Sequence, residues 1–403
     1  MSHIVVVGAG QAGQSLVTKL RGEGFEGQIT LIGEEPVPPY QRPPLSKKYL
    51  LGEMELERLF LRPESFYAEH DIALRLGQPV QEIDRAAKTL TVGGEVIAWD
   101  RLALATGAVP RRLPAAIGGD LPGVHVVRKL ADVDAMAPEF APGRRVLIVG
   151  GGYIGLEAAA VAARKGLQVV LVEAAERILQ RVASAETAAF IRQVHRREGV
   201  DIREGIGLER LEGEGRVRAA QLGDGTRLEV DFVIVGVGVD PDVRLARAAE
   251  LEIDNGIAVD VQGRSSDPAI WAAGDCASFP WRGGRLRLES VGNAIDMGEL
   301  VALNMLGAGR PYEAKPWFWS DQYDMKLQIA GLNTGYEQVV SRPGEQQDAA
   351  SFWYFRGDEL LAVDAINDPR AYMVGKRLVE AGRSPAPEAV ADPGTDLKAL
   401  LRS

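Results

Sequence analysis

The reading turns on Ile4-Val5-Val6-Val7-Gly8-Ala9-Gly10-Gln11-Ala12-Gly13 and on its echo, Val146-Leu147-Ile148-Val149-Gly150-Gly151-Gly152-Tyr153-Ile154-Gly155. Each begins as a continuous apolar run, the pattern of a parallel strand buried on both faces, meets Gly-x-Gly-x-x-Gly, and continues into an Ala- and Leu-rich stretch that reads as a helix. A second apolar strand follows each helix and ends at an acid: residues 29–32 lead to Gly33-Glu34, and residues 169–172 lead to Glu173. The first glycine of such a turn makes the sharp exit from the strand, the second lets backbone approach a pyrophosphate, and the third allows close helix-strand packing. The helix N-terminus then offers free N–H groups and positive dipole to the phosphates. An acid roughly 23 to 26 residues after the first glycine is placed to accept hydrogen bonds from ribose hydroxyls. One such turn is a weak signal. Two, each with strand, helix and terminal acid in register, predict two dinucleotide-binding units.

Working outward, 403 residues suggest two or three domains, and 46% hydrophobic with 25% charged residues is the composition of a globular chain. The 46 glycines are about 11% of the chain against a usual 7% or so, which points to many tight turns. A single cysteine, Cys276, excludes an internal disulfide, a Cys-x-x-Cys redox pair and a thiolate-built metal cluster. A net charge of -10 argues against nucleic acid as the main ligand. The opening residues run straight into a strand without a basic n-region or a cleavage site, so the mature chain is expected to start at residue 1 or 2. No run approaches the roughly 18 apolar residues of a membrane span, so the expectation is a soluble, cytoplasmic protein with no membrane partner.

Three further strand ends accompany the repeats. Residues 100–107 form an apolar strand closing on Ala105-Thr106-Gly107, residues 231–238 are its counterpart, and residues 270–275 end at Gly274-Asp275, with a carboxylate poised to meet a sugar-like hydroxyl chain. In this order, and with both repeats, the chain resembles the two-dinucleotide flavoproteins of the glutathione-reductase structural superfamily. More narrowly it resembles the NADH-dependent ferredoxin reductases that feed cytochrome P-450 or Rieske oxygenases, the putidaredoxin reductase and rubredoxin reductase group. That narrower likeness rests on Pro39-Tyr40-Gln41-Arg42-Pro43-Pro44-Leu45-Ser46-Lys47, on residues 151–157, on Glu289-Ser290-Val291 and on Trp317-Phe318-Trp319-Ser320-Asp321-Gln322-Tyr323, and the similarity spans essentially the whole chain. It implies an α/β fold with two Rossmann-like dinucleotide-binding domains and a small α+β C-terminal domain. The implied divisions are an FAD domain at 1–108 and 248–319, an NADH domain at 109–247, and a third domain at 320–403.

The resemblance also assigns residues. Non-covalent FAD would lie with Gly8, Gly10, Ala12 and Gly13 at its pyrophosphate and Glu34 on the adenosine ribose. Arg42, Lys47, Val80 and Arg128 match flavin-contacting positions, Ala105, Thr106, Gly107 and Gly274 line the cofactor, and Asp275 binds the ribityl chain. Arg42 and Lys47 would suit a solvated turn as well, although Pro43-Pro44 stiffens that turn. Val291 precedes a helical stretch at 294–306 whose N-terminus would face the flavin. Trp319 covers the ring, lies on the electron exit route, or packs as core in a loop dense with aromatics. NADH would take Gly150, Gly152, Tyr153, Ile154, Gly155 and Gly236, with Glu157 at the nicotinamide end and Glu289 nearby. A carboxylate at Glu173 binds the 2'-hydroxyl of NADH and repels the 2'-phosphate of NADPH, while Arg177, four residues on, leaves some NADPH use open.

What is missing directs the chemistry. Disulfide reductases of the superfamily pass electrons to an early cysteine pair, and related peroxidases and oxidases use one early cysteine; this chain has neither. Cys276 reads as a small buried residue. Electrons must therefore leave for an external acceptor, by hydride transfer from NADH to flavin and single-electron steps to a 2Fe-2S ferredoxin or a rubredoxin. No side chain need act as acid or base; Lys47, Glu157 and Trp319 are the residues assigned near the ring. His3, His70, His125 and His195 are scattered without metal spacing, so no metal ligand is assigned and structural or surface roles are expected. Two other classes stay open: an NADH oxidase or monodehydroascorbate-type reductase with a small-molecule acceptor, and an NADH-sensing flavoprotein similar to apoptosis-inducing factor. Arg282, Arg285, Arg287, Arg310 and Lys315 are either a docking face for an acidic ferredoxin or a solvated loop. The last segment reads as antiparallel strands at 325–330, 352–355 and 360–365 with a turn at Gly357-Asp358, then a helix from Asp368-Pro369 and a loosely held tail at 384–393. A monomer is expected.

Overall fold

An apolar strand with no polar face must be covered on both sides, and both glycine repeats supply such a strand at the centre of a five-stranded parallel sheet. The computed structural model describes residues 2–402. Residues up to 41, 55–109 and 239–315 form one compact unit, and residues 42–54, 110–238 and 316 onward form a second.

In the first unit the strand order is Ile270–Ala272, Arg101–Leu104, His3–Val7, Gln28–Ile32, Ile72–Arg75. In the second it is Phe232–Val235 and then Val124–Val126 on one side of Arg145–Val149, with Gln168–Glu173 and Asp201–Glu204 on the other. The register repeats too. Val7 faces Ile32 and Leu104, and Val149 faces Val172 and Val235. Each unit also carries a three-stranded antiparallel meander, at Val80–Asp84, Thr89–Val92, Glu95–Ala98 and at Leu208–Glu212, Ala219–Leu222, Arg227–Glu229. The duplication read from two turns thus extends through the whole of each nucleotide-binding fold.

The C-terminal segment is a five-stranded antiparallel sheet in the order Trp317–Gln322, Met325–Gly331, Glu359–Ile366, Ala350–Arg356, Gln338–Pro343. Gly357-Asp358 joins two of its strands as expected, because Arg356 pairs directly with Glu359. The aromatic stretch read as a loop is instead the edge strand Trp317–Gln322, paired along its length with Met325–Gly331. Its alternation is concealed by polar residues on the inner face: Ser320 is 0% and Gln322 1% exposed, while Trp317 and Trp319 stack at 5.4 Å on the other face. Asp368 caps the helix Pro369–Glu380 by accepting from the Ala371 N–H at 2.9 Å. The segment at 384–393 is not loose. It contains the helix Pro387–Ala391 with Val390 buried, and the Arg342 guanidinium donates to the carbonyls of Val390, Asp392, Pro393 and Thr395 at 2.6 to 3.1 Å. Among the described residues no helix is long and apolar enough to cross a membrane.

A buried cluster ties this sheet to the helix Ala185–Arg197 of the same unit. Asp364 accepts from the hydroxyls of Tyr354 and, at 2.9 Å, Thr187; the Tyr354 hydroxyl accepts from the Ser184 N–H at 3.0 Å. The other Asp364 oxygen has no partner among the described residues, and burial pushes the carboxyl up to about 7. A folded-state value above the unfolded one means that the native state holds the extra proton, so this carboxyl costs stability increasingly as pH rises from 4 to 7. Calorimetry should find that Asp364→Asn, neutral throughout, gains on the parent by about 3 kcal/mol between pH 4 and pH 7. A constant difference across that range would mean that Asp364 is not the titrating group.

Candidate functional site

At the first glycine turn, Gly8 has φ +117°, and a Cβ there would lie 2.0 Å from the Ala105 carbonyl oxygen. A Cβ on Gly13 would lie 2.0 Å from the Gly8 oxygen, whereas one on Gly10 would meet nothing within 4 Å. The second turn repeats this: Gly150 has φ +110° with Gly236 oxygen 2.4 Å from its ideal Cβ, Gly155 is closed off at 2.1 Å by Gly150 oxygen, and Gly152 is open. The outer glycines are therefore required by the protein's own backbone, and the middle one is not. Space is left at that point, where Gly10 and Gly152 cap the helices Gln11–Gly22 and Tyr153–Arg164 without any side chain to bond the first N–H groups. Pyrophosphate oxygens fit such a place.

The other first-unit residues surround that turn by separate routes. Ala105 donates its N–H to Val7 at 2.7 Å, and the Thr106 hydroxyl donates to the Asp242 carbonyl at 2.6 Å, so the strand end at 105–107 is fixed against the turn. Gly274 is packed on Ala12, its ideal Cβ only 3.0 Å from the alanine methyl, and half-buried Asp275 follows it. Glu34 lies exposed two residues beyond the end of the second strand, and Val80 opens the meander. The helix starts at Val291 rather than at Ala294, because Ser290 caps it by accepting from the Asn293 N–H at 3.2 Å. Cys276 is buried with its Sγ 3.4 Å from the Ala273 carbonyl, and burial pushes the thiol up, as a structural cysteine requires.

Of the five basic residues considered as a docking face, two are diverted inward. Arg285 donates to the carbonyls of Val259, at 2.8 Å, and Ser278, and Arg287 donates to that of Asp275 at 3.2 Å while pairing with Glu289 at 2.7 Å. Arg310 and Lys315 are exposed, and Arg282 lies over the Trp281 ring at 5.3 Å. Glu289 belongs to this first unit.

In the second unit Glu173 is held at the lip of its glycine turn. One carboxylate oxygen accepts from the Gly151 N–H at 2.7 Å and the other from the Ala175 N–H at 2.8 Å. Arg177, left open as a phosphate ligand by the sequence, donates to the carbonyls of Ile178, Ala183 and Ser184 at 2.8 to 3.3 Å. Its guanidinium is spent on the chain's own loop. The Tyr153 ring lies 4.9 Å from that of Phe318, and Ile154 is 39% exposed at the start of the helix.

Lys47, Glu157, Arg42, Arg128 and Trp319 all belong to this second unit. Arg42 donates to the Arg128 carbonyl at 2.7 Å. Lys47 departs from helical geometry inside the turn Leu45–Tyr49 and is only 13% exposed, with Nζ 3.0 Å from a Glu157 oxygen and 5.8 Å from the Trp319 ring centroid. The solvated-turn reading is overturned for Lys47, whose ammonium goes to a buried acid. Glu157 is 5% exposed and accepts from the hydroxyls of Ser46 and Ser320, each at 2.7 Å. Burial raises its carboxyl; the Lys47 charge, then Ser320 and Ser46, pull it back. Behind Ser320 lie Gln322, His195 and Tyr323, and His195, expected to be structural or superficial, is fully buried. Ser46, Ser320 and Gln322 were inside quoted motifs but were given no role. No local pattern marks the last two, because Asp321 stands between them and neither is flanked by aromatic residues on both sides.

Residues 2–298 match the pyridine nucleotide-disulphide oxidoreductase family and residues 317–401 the reductase C-terminal family. The chain belongs to the pyridine nucleotide-disulphide oxidoreductase family. It is 40% identical to rhodocoxin reductase of Rhodococcus erythropolis, over 99% of this chain and 94% of that one. Identity is 38% to the ferredoxin–NAD(+) reductase component of the p-cumate 2,3-dioxygenase system of Pseudomonas putida, over 99% and 98% of the two chains. The crystal structure of the covalent putidaredoxin reductase–putidaredoxin complex superposes with a TM-score of 0.95 at 38% identity, covering 100% of this chain and 98% of that one.

As an oxidoreductase of the pyridine nucleotide-disulphide oxidoreductase family the chain is expected to bind FAD and a pyridine nucleotide, and the two open glycine positions are the places that fit their phosphates. This member of the family has no cysteine but buried Cys276. Because Gly155 has no room for a methyl, Gly155→Ala must push helix from strand, and titration calorimetry should register nucleotide binding weakened at least about tenfold with the fold intact.

Proposed function

We propose that the chain is an NADH-dependent ferredoxin reductase, working as a cytoplasmic monomer that supplies electrons through a 2Fe-2S ferredoxin to a cytochrome P-450 or Rieske-type oxygenase. The observation that carries this reading is a pair of phosphate cradles in a chain whose one sulfhydryl is buried among carbonyls and held as a thiol. FAD, when bound, would accept hydride from NADH and release electrons singly to the iron-sulfur protein. Similarity to reductase components of oxygenase systems supports the same acceptor class.

On this reading residues 1–108 and 248–319 form the FAD domain, 109–247 the NADH domain, and 320–403 the third. Gly8, Gly10, Ala12 and Gly13 take the FAD pyrophosphate, Glu34 its ribose, and Ala105, Thr106, Gly107, Val80, Gly274, Asp275 and Val291 the remainder. Arg42, Lys47, Arg128 and Trp319 are assigned to the flavin on resemblance. Gly150, Gly152, Tyr153, Ile154, Gly155 and Gly236 take NADH, Glu157 its nicotinamide end, and Glu289 is assigned there on resemblance as well. The side chains bind and orient; none needs to move a proton in the hydride step.

Glu173 and Arg177 decide between coenzymes. The carboxylate, already anchored by two N–H groups, accepts from a ribose hydroxyl and repels a 2'-phosphate, and the arginine that could have welcomed the phosphate is engaged. Steady-state kinetics should give a kcat/KM for NADH at least about a hundredfold above that for NADPH, with Glu173→Ala narrowing the ratio at least about tenfold. Equal efficiency in the parent would remove the NADH reading. The acceptor is tested by cytochrome c reduction with and without a 2Fe-2S ferredoxin: turnover should depend on the ferredoxin. Fast turnover with oxygen or a small quinone and no response to ferredoxin or rubredoxin would favour the oxidase class instead.

A further inference from the structure

The pair of Lys47 and Glu157 is backed by a chain of polar side chains that nothing in the hydride chemistry uses. Ser320 donates to Glu157 at 2.7 Å, Gln322 donates to the Ser320 hydroxyl at 3.0 Å, His195 meets the Gln322 carbonyl oxygen at 2.7 Å, and Tyr323 meets the second His195 nitrogen at 3.1 Å. Every proton in it can be placed by one argument. An ionised carboxylate only accepts, so the Ser320 hydrogen points to Glu157; its oxygen then accepts from the Gln322 amide nitrogen, which turns the Gln322 oxygen toward His195. His195 must therefore carry its proton on Nε2, and its bare Nδ1 accepts from the Tyr323 hydroxyl. All donors point toward Glu157, the arrangement in which successive hydrogen bonds polarise one another.

A second observation is the position of Tyr323. Gln322 pairs directly with Met325, so Tyr323 and Asp324 form a two-residue hairpin turn, and Tyr323 sits at φ +57°, where glycine is the usual occupant. A bulky residue is strained there, yet its hydroxyl is the one that closes the chain. Packing alone does not call for a tyrosine at a glycine position.

We propose that Ser320, Gln322, His195 and Tyr323 are positioning residues which keep Glu157 anionic and fixed, so that it holds the Lys47 ammonium in place at the redox site. The proposal rests on the assignment of Glu157 and Lys47 to the nicotinamide and flavin. The groups facing Glu157 are Lys47 and Ser46 from the turn Leu45–Tyr49 and Ser320 from the strand Trp317–Gln322. Those facing His195 are Gln322 and Tyr323, the latter also within reach of the Glu198 charge. Burial holds the Glu157 carboxyl above its usual range even with Lys47 beside it, and the Ser320 hydroxyl is one of the groups that pull it back, which gives the chain that orients Ser320 a part in keeping the acid ionised. His195 suits a neutral link, since burial pushes it down to about 4.

Two measurements on the flavin-loaded full chain test this. Nitrogen-15 NMR should find His195 neutral at pH 6, as the Nε2–H tautomer; an Nδ1–H tautomer or an imidazolium overturns the proposal, whatever the enzyme's activity. In rapid-mixing experiments, losing a donor to a carboxylate raises its pKa, so Ser320→Ala should move the acid limb of flavin reduction by NADH upward by about one pH unit. Tyr323→Phe, which keeps the ring, should move it the same way by less, and this variant decides if Ser320→Ala fails to fold. An acid limb unmoved in a folded variant overturns the chain's role, because a merely structural contact would alter melting and not the pH profile. Failure of NADH to reduce the parent protein would count against the proposed function instead, with the NMR result still deciding the chain.

Discussion

Where the first strand of each repeat turns into its helix, backbone is pressed on backbone. The Gly8 carbonyl occupies the place of a Cβ at residue 13, and the Ala105 carbonyl that of a Cβ at residue 8; Gly150, Gly155 and Gly236 stand in the same relation. This approach sets how near the helix begins to the strand end, and that setting leaves the middle glycine open with unclaimed N–H groups above it. The central place of the repeat strand follows as well, since the strand bearing Ala105 or Gly236 must lie directly beside it to supply the pressing carbonyl. A single methyl at either outer glycine would undo the position of the open middle glycine without touching it.

Two buried carboxyls in the second unit show different answers to one electrostatic problem. Moving a carboxylate out of water costs several kcal/mol, and a cation at about 3 Å returns roughly 5 kcal/mol at an effective dielectric constant near 20. The two are close enough that hydrogen bonds decide the outcome. Glu157 has the cation of Lys47 and two hydroxyl donors, which pull back a carboxyl that burial still holds above its usual range. Asp364 has hydroxyl donors on one oxygen only and, among the described residues, no cation partner, and it moves toward the neutral acid. The first arrangement favours a charge; the second holds a helix to a sheet through the hydroxyl bonds that Asp364 accepts, and leaves its other oxygen to take up a proton.

Features set by neighbours in sequence were legible. The glycine turns, their strands and acids, the Gly357-Asp358 turn and the Asp368 cap each depend on residues a few positions apart, and each stands where the sequence placed it. Long-range pairings were not. Ser320 reaches Glu157 and Gln322 reaches His195 only after the C-terminal sheet has packed on the helices of its unit, and no periodicity in the chain reports that. The same limit concealed Arg342, which secures a proline-rich tail from an edge strand, and Arg177, Arg285 and Arg287, whose charges suggested ligands while their guanidiniums serve local carbonyls. Arginine is ambiguous in sequence for a physical reason: its planar fork of donors satisfies backbone carbonyls as readily as anions.

The duplicated cradles are alike in backbone and unlike in cover, and the difference suits two kinds of occupant. In the first, Ala12 is buried, and the helix Val291–Met305 crosses it so closely that a Cβ on Gly298 would lie 2.6 Å from the Ala12 oxygen. In the second, the matching residue is Ile154, and it is exposed. A small residue under a second helix makes a turn that is walled by its own unit, as a cofactor retained through many turnovers requires. An exposed isoleucine at the corresponding place leaves that side open to a coenzyme that must enter reduced and leave oxidised. On the proposed function, alanine at one turn and isoleucine at the matching position of the other would separate retention from exchange.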